Sequence, residues 1–448
     1  MRVVRNAVAL AIETLSWMEY EGLSERAAFA KALKQLQVAE SDQLKTAQLL
    51  VLETVRRLNF IDHLVRTAVG GRFHLHSLQH GMTSFLRLFC YWTKFHGASD
   101  RDIVRILHAA RSVLGWKSLH SIEHVFGRIL ALDPTEATAK LSGDEALALK
   151  LFHPTWFVSA CMALLGRPGA LKLMRRNLDR PPSYIRVNTL RGSEETCLRE
   201  IERAGIDVKP VEHVPLAFEV LSCKRPVVQT EPYRQGKVAI QDKGSILVGA
   251  AAAPRPGDLV LDVCAAPGAK TTHLAQLMQN KGTIYSVDKS SVRMSFWRRE
   301  VSRLGVEIAH PLLGDATKPL PVNAKVDLAV LDPPCSNTGT FWRSPGTKWV
   351  AAPERVRQLA KTQWAMLENV SRFVCEGGAL VYSTCSILGE ENEQIVSRFL
   401  RVNPDFRAVQ SSPRIGLPGL YGLETSQRMY PYAHDCNGHF LSKMKRIG

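Results

Sequence analysis

The 448-residue sequence is narrowed first by what it lacks. It has no CxxC pair and no Cys/His cluster at metal spacing, so its nine cysteines suggest neither a disulfide framework nor a zinc site. No metal is expected, and a cysteine with a role here acts as a thiolate. No apolar run approaches the roughly 20 residues that cross a bilayer. The longest candidate, Ile246 to Ala253, is far too short, so no membrane partner is expected. The opening stretch MRVVRNAVALAIETL lacks a signal-peptide core, because Glu13 interrupts it while helical spacing continues. It reads as the first helix of a soluble domain. There is no internal repeat and no low-complexity tract. The expectation is a cytoplasmic monomer with reduced thiols.

Positive charge is what the sequence has in surplus. Lys and Arg number 58 against 42 Asp and Glu, a formal net charge of +16. Such a surplus favours a polyanionic partner, because basic patches release counterions from a phosphate backbone, but it does not separate RNA from DNA. Hydrophobic residues at 45% and charged residues at 22% are ordinary for a globular chain, and the length calls for two or three domains.

Residues 1–150 predict helix throughout. LKTAQLLVLETVRRLNFIDHLV sets Leu44, Ala47, Val51, Val55, Leu58 and Ile61 near one helical face, with Arg56 and Arg57 outside it. A later helix, SDRDIVRILHAARSVL, has Ser99 as N-cap and Asp100 and Asp102 at its positive end. Residues 151–238 change character. The β-like runs SYIRVNTL and FEVLS flank a helix, SEETCLREIERAG, that opens on a capping-box pattern at Ser193 and stops at Gly205. This predicts a small α/β module. In residues 239–448 the strands LVLDVC, TIYSVD, DLAVLD and ALVYSTC alternate with helices, which predicts a parallel, doubly wound, Rossmann-like α/β sheet. Ligands of such sheets bind beyond the carboxyl ends of the strands. Those ends carry Cys264, Asp288, Asp332 and Cys385.

In LDVCAAPGAKTTHLAQLM, Ala265, Ala266 and Gly268 let a ligand approach the backbone, and the next helix presents free amides. The turn is not GxGxxG, so NAD is disfavoured. Asp288 ends the next strand, where a carboxylate would accept from ribose hydroxyls, and Asp315 in LLGDATKPL could face an adenine amine. Each acid alone would serve equally as a solvated turn residue. Their register with the strands suggests S-adenosylmethionine.

DLAVLDPPCSNTG brings an acid, a rigid diproline and Cys335 to one strand end, and ALVYSTCSILGEENE brings Cys385 to the next. A lone cysteine at a strand end more often packs than reacts. A pair beside an acid fits cytosine chemistry. Carbon 5 of cytosine is a poor nucleophile until a thiolate adds to carbon 6. An acid near ring nitrogen 3 stabilises the developing charge, and a base then removes the hydrogen from carbon 5. Amine methyltransferases place an aromatic after the two prolines, where this chain has Cys335.

These motifs resemble the RsmB/NOP2/Sun family of RNA cytosine-5 methyltransferases, from about Tyr184 to the end of the chain. SYIRVNTL, QDKGSILV, LDVCAAPGAKTTHLAQ, DPPCSNTG and YSTCSILGEENE fall in family order. The resemblance implies that Cys264, Ala265, Ala266, Pro267, Gly268, Ala269 and Lys270 line the methionine side of S-adenosylmethionine. It implies that Asp288, Arg293 and Asp315 complete that site, with Asp288 on ribose and Asp315 on adenine. Cys385 would attack carbon 6, Cys335 would assist release, and Asp332 would contact both the ring and the cofactor, with Lys270 organising the edge. DNA cytosine-5 methyltransferases take their nucleophile from the position of Cys335, and that alternative stays open. The chain departs from the family at Ala269 and Asn337, where glycine is usual, and at Asn437, where aspartate is more common.

The helical region is similar to the NusB-like RNA-binding domain of the bacterial RsmB branch, which implies ribosomal RNA as partner and RNA-binding roles for both N-terminal parts. Transfer RNA is the runner-up substrate, and a non-catalytic RNA-binding or ribosome-assembly factor is the alternative class. In FWRSPGTKW, the residues Phe341, Trp342, Arg343, Lys348 and Trp349 could clamp single-stranded RNA or form a packed loop.

Overall fold

The amphipathic spacing of the N-terminal region produces a helical assembly. The computed structural model describes residues 2–70 and 78–447. Contacts divide the chain into two units: Met1–Leu178 with Ser344–Val350, and Asp179–Arg343 with Ala351–Gly448. In the first unit, helices Leu58–Val69, His80–Lys94 and Glu123–Ala131 bury Ile61, Leu64, Phe85, Phe89 and Phe126 in one core. Ser99 caps helix Asp100–Leu114 in a full capping box with Asp102, as expected.

Two expectations in this unit change. The helix expected across 44–65 breaks at Arg57 (φ −113°, ψ 18°) into Ser41–Arg56 and Leu58–Val69. Arg56 is not outside the packed face: it is buried and donates to the Asn177 carbonyl at 2.9 Å. That carbonyl lies just past the end of helix Thr155–Arg176, where carbonyls lack helical partners. By length and composition, Thr155–Arg176 is the one described helix apolar enough to be weighed as a membrane span. Gly166 at φ 64°, ψ 170° splits it into two pieces, each well short of about 20 residues.

Segment Ser344–Val350 is built into this helical unit. Lys348 is fully buried and donates to the carbonyls of Arg56 (3.0 Å) and Phe152 (2.8 Å). Burial, and then Arg56 and Arg57, hold its pKa well below the ordinary lysine value. Trp349 donates to the Val55 carbonyl at 2.7 Å.

The second unit starts with a four-stranded antiparallel sheet, ordered β2-β3-β1-β4. Its strands are β1 (Ser183–Val187), β2 (Ile206–Pro210), β3 (Ala217–Cys223) and β4 (Val238–Ile240). The boundary expected after 238 thus falls inside β4, which pairs with β1. Ser193 caps helix Glu194–Arg203 by accepting from Thr196 N at 3.2 Å. The third helical residue is Thr196, so no carboxylate completes the expected box. Arg186 of β1 is fully buried and donates to Gln241 (2.9 Å) and Thr272 (3.1 Å), and burial lowers its pKa to about 9.

The main sheet has nine strands. These are β5 (Leu259–Val263), β6 (Thr283–Asp288), β7 (Ala309–Leu313), β8 (Val326–Leu331), β9 (Val374–Thr384), β10 (Phe406–Val409), β11 (Leu417–Pro418), β12 (Gln427–Met429) and β13 (His439–Arg446). Its order is β11-β12-β13-β9-β8-β5-β6-β7, with β10 also on β13. β5 to β9 are mutually parallel, and the central β5 and β8 are buried and nearly continuous in apolar residues, as strands covered on both faces must be, whereas edge strand β7 is largely exposed. β13 runs antiparallel to β9 and carries β12 and β11 beyond it. The expected doubly wound α/β fold is present, with β5 and β8 adjacent at its centre.

Candidate active site

The loop after β5 turns sharply. Cys264 lies at φ 63° and Gly268 at φ 111°, after which helix Ala269–Leu277 begins. A side chain at Gly268 would be strained by that φ and would press on the Trp297 ring, 3.3 Å from the added carbon. Ala269 sits inside the helix, where alanine is well suited, so this departure from glycine leaves the turn intact. Burial, then the charges of Asp332 and Asp288, push the Cys264 thiol up to about 12.

Asp288 ends β6 and is almost fully buried. It accepts from Ala266 N (3.3 Å) and Ser290 N (2.9 Å), and pairs with Arg293 at 3.4 Å. Arg293 also donates to the Ala266 carbonyl, so it ties the loop to the acid. Asp315, beyond β7, accepts from Lys289 at 2.9 Å and from the Thr317 amide and hydroxyl. The Lys289 bond, then those from Thr317, holds it well below the usual carboxylate range. A small-residue turn, a helix N-terminus and two acids at neighbouring strand ends form a donor set that fits S-adenosylmethionine.

At the other end of this edge stand the thiols. Lys270 Nζ is 2.6 Å from Asp332 Oδ2. Burial works to lower the Lys270 pKa, but Asp332 outweighs it and the net direction is up, so the ammonium stays charged. Asp332 also accepts from Ser383 Oγ at 3.3 Å. The sulfurs of Cys335 and Cys385 are 3.1 Å apart. Asn337, at φ 58°, spans the pair: its Nδ2 donates to the Cys335 carbonyl at 3.2 Å, and its Oδ1 accepts from the Cys385 thiol at 2.9 Å. Asparagine tolerates the left-handed backbone better than most residues, which explains how it replaces glycine there. The bond with Cys385, then burial, raises the Cys335 pKa well above the ordinary thiol value.

Several residues that hold this geometry were not assigned roles from sequence. Buried Glu391 accepts from Ser336 N (2.9 Å), beside Cys335, and from Gln363 Nε2 (3.0 Å). Glu393 is fully buried in an ion pair with Arg428, which donates to the Ile387 carbonyl at 2.8 Å. The acidic run GEENE was visible, but nothing local announced its partners. Asp262 is fully buried with Oδ1 unbonded, and burial raises its pKa to about 7. Asn437, the third departure, accepts from Trp342 Nε1 at 2.7 Å. Phe341, Trp342 and Lys348 are fully buried, so the 341–349 stretch is the packed loop and not an exposed RNA clamp.

A parallel Rossmann-like sheet with this turn and two strand-end acids defines an S-adenosylmethionine-dependent methyltransferase. Residues 250–445 match the family described as 16S rRNA methyltransferase RsmB/F, and 153–225 match an RsmF/B-like ferredoxin-like domain. The chain is 32% identical over 307 residues to the probable ribosomal RNA small subunit methyltransferase B of Bacillus subtilis, covering 67% of this chain and 68% of that one. It is 31% identical to the 26S rRNA (cytosine-C(5))-methyltransferase nsun-1 of Caenorhabditis elegans, covering 62% of this chain and 44% of that one. The crystal structure of PH0851 is similar over 99% of both chains, with 28% identity and a TM-score of 0.87. The chain belongs to the RsmB/F family of RNA cytosine-5 methyltransferases.

Proposed function

We propose that this protein forms 5-methylcytidine in ribosomal RNA through a covalent adduct between Cys385 and carbon 6 of the target base. The observation that carries the reading is the pair of thiols 3.1 Å apart beside the Lys270–Asp332 ion pair. Membership of the RNA family, for which the resemblance puts the nucleophile at the position of Cys385, favours Cys385 as the attacking sulfur over the DNA-enzyme assignment to Cys335. The Cys385 thiolate adds to carbon 6, and carbon 5 becomes enamine-like. Asp332 faces the ring, and the Lys270 ammonium paired with it offsets the negative charge that develops near nitrogen 3. Carbon 5 gains a methyl group, for which bound S-adenosylmethionine is the source. The carbon 5 hydrogen then passes as a proton to water at this part-exposed edge, with Cys335 beside the adduct assisting release. The C6–S bond breaks, the ring double bond returns and Cys385 is freed.

Residues Cys264 to Lys270 would hold the methionine side of the cofactor, Asp288 and Arg293 the ribose side, and Asp315 the adenine. The relatives' names favour ribosomal RNA over transfer RNA. The helical region as a NusB-like RNA-binding domain, the 151–238 module as an RNA-binding element, a monomeric state and a cytoplasmic location complete the proposal. Nucleoside mass spectrometry after incubation with total RNA and S-adenosylmethionine tests it, with bisulfite sequencing to locate the mark. The expected product is 5-methylcytidine in small-subunit rRNA. A different methylated nucleoside, or a mark confined to tRNA, would overturn the reading.

A further inference from the structure

Beside the thiol edge, within the second unit, lies a groove of about 800 Å³ between helices Pro353–Ser371 and Glu393–Val402. Arg357, Lys361 and Trp364 recur at helical spacing along one wall, and Arg398 and Arg401 project from the other. The Arg398 guanidinium sits 3.8 Å from the Trp364 ring centroid. Arg357 has an exposed partner, Glu354, at 2.8 Å, a surface pair of little worth. Among the described residues, Lys361, Arg398 and Arg401 pair with no carboxylate. Of the two acids in the lining, Glu393 is consumed by Arg428, and only Glu390 is left exposed. The groove therefore carries unneutralised positive charge over an apolar floor.

Its end is tied to the chemistry. Tyr421 is 68% exposed and stands against Gly389, where an added side-chain carbon would lie 3.3 Å from its ring. Gly389 is four residues from Cys385, so their Cα atoms are within roughly 14 Å of each other. A cytosine must leave its stack to reach the thiols, and the strand carrying it must then run past the edge. Unpaired cations and an exposed aromatic are what such a strand binds.

We propose that this groove binds the single-stranded RNA flanking the target cytosine, with Lys361, Arg398 and Arg401 on phosphates and Tyr421 stacked on a base. The proposal rests on RNA being the substrate. It is tested on the full chain with a 16S rRNA transcript, by measuring binding across salt concentrations for wild type, Lys361→Ser/Arg401→Ser and Tyr421→Ala. Loss of two phosphate contacts lowers the slope of log K against log salt by about 1.4 and weakens binding roughly tenfold at 0.15 M salt. Tyr421→Ala weakens binding about fivefold or more with its slope unchanged. Affinity for S-adenosylmethionine, read by calorimetry, stays at the wild-type value and shows that both variants fold. Wild-type slopes in the double variant overturn the proposal, and so does polyglutamate competing as well as RNA of equal charge. Binding is read without turnover, so a failure of the cytosine-methylation reading appears separately, as absent 5-methylcytidine with the wild-type protein.

Discussion

Along one sheet edge, the ends of β5 to β7 and the ends of β8 and β9 are supported in different ways. Asp288 leans on Ser290 and Arg293, and Asp315 on Thr317 and Lys289, all nearby in the chain or on the next strand end. The thiol loops lean on distant groups: Ser336 on Glu391, the Ile387 carbonyl on Arg428 and Glu393, Trp342 on Asn437. The cofactor half uses turns and helix starts, which can form almost independently. The thiol half uses buried carboxylates whose partners come from distant segments, and these cost heavily unless every partner is present. A short motif can therefore specify the first half, while the second depends on the whole fold.

The sharpest way to break that contrast is Glu393→Ala. It leaves the buried Arg428 guanidinium uncompensated, and the expected loss is about 3–5 kcal/mol of stability, read as a lower urea midpoint. A change within about 0.5 kcal/mol would mean that the thiol half does not depend on its distant ion pair. Asp288→Ala, by contrast, should act on ligand affinity. Losing charge-assisted hydrogen bonds of about 1.5–3 kcal/mol weakens S-adenosylmethionine binding roughly ten- to hundredfold by calorimetry, with a smaller stability loss than Glu393→Ala. Unchanged affinity would remove Asp288 from the cofactor site.

The remaining expected effect is on pH dependence. Asp262 has its pKa raised to about 7 in the fold, against about 3.9 in an unfolded chain. Its contribution to stability is therefore fully present below about pH 4 and is lost as pH rises through about 7. Between those limits the loss is at most about 1.4 kcal/mol per pH unit. Asp262→Asn should remove that slope, seen as a flatter melting profile between pH 4.5 and 7. Parallel profiles for the two proteins would show that Asp262 is ionised throughout.

The legibility of the sequence follows the same division. Alternating strands and helices announced the parallel sheet, and Cys264, Asp288, Asp332 and Cys385 fall at or just after its strand ends. Ser99 announced its own cap. What sequence could not convey was long-range. Arg56 reads as a surface residue until the Asn177 carbonyl arrives from 121 residues away. The 341–349 stretch has the composition of an RNA clamp, yet Phe341, Trp342 and Lys348 are consumed in packing. The acids of GEENE look like solvated helix-start residues until Gln363 and Arg428 are placed beside them.

The central claim is that Cys385 attacks and Cys335 releases. Denaturing gels of the two alanine variants, each incubated with RNA and S-adenosylmethionine, test it most directly. Cys335→Ala should accumulate a covalent protein–RNA band that nuclease collapses, and Cys385→Ala should give neither band nor 5-methylcytidine. A covalent band with Cys385→Ala and none with Cys335→Ala would contradict the account and exchange the two roles.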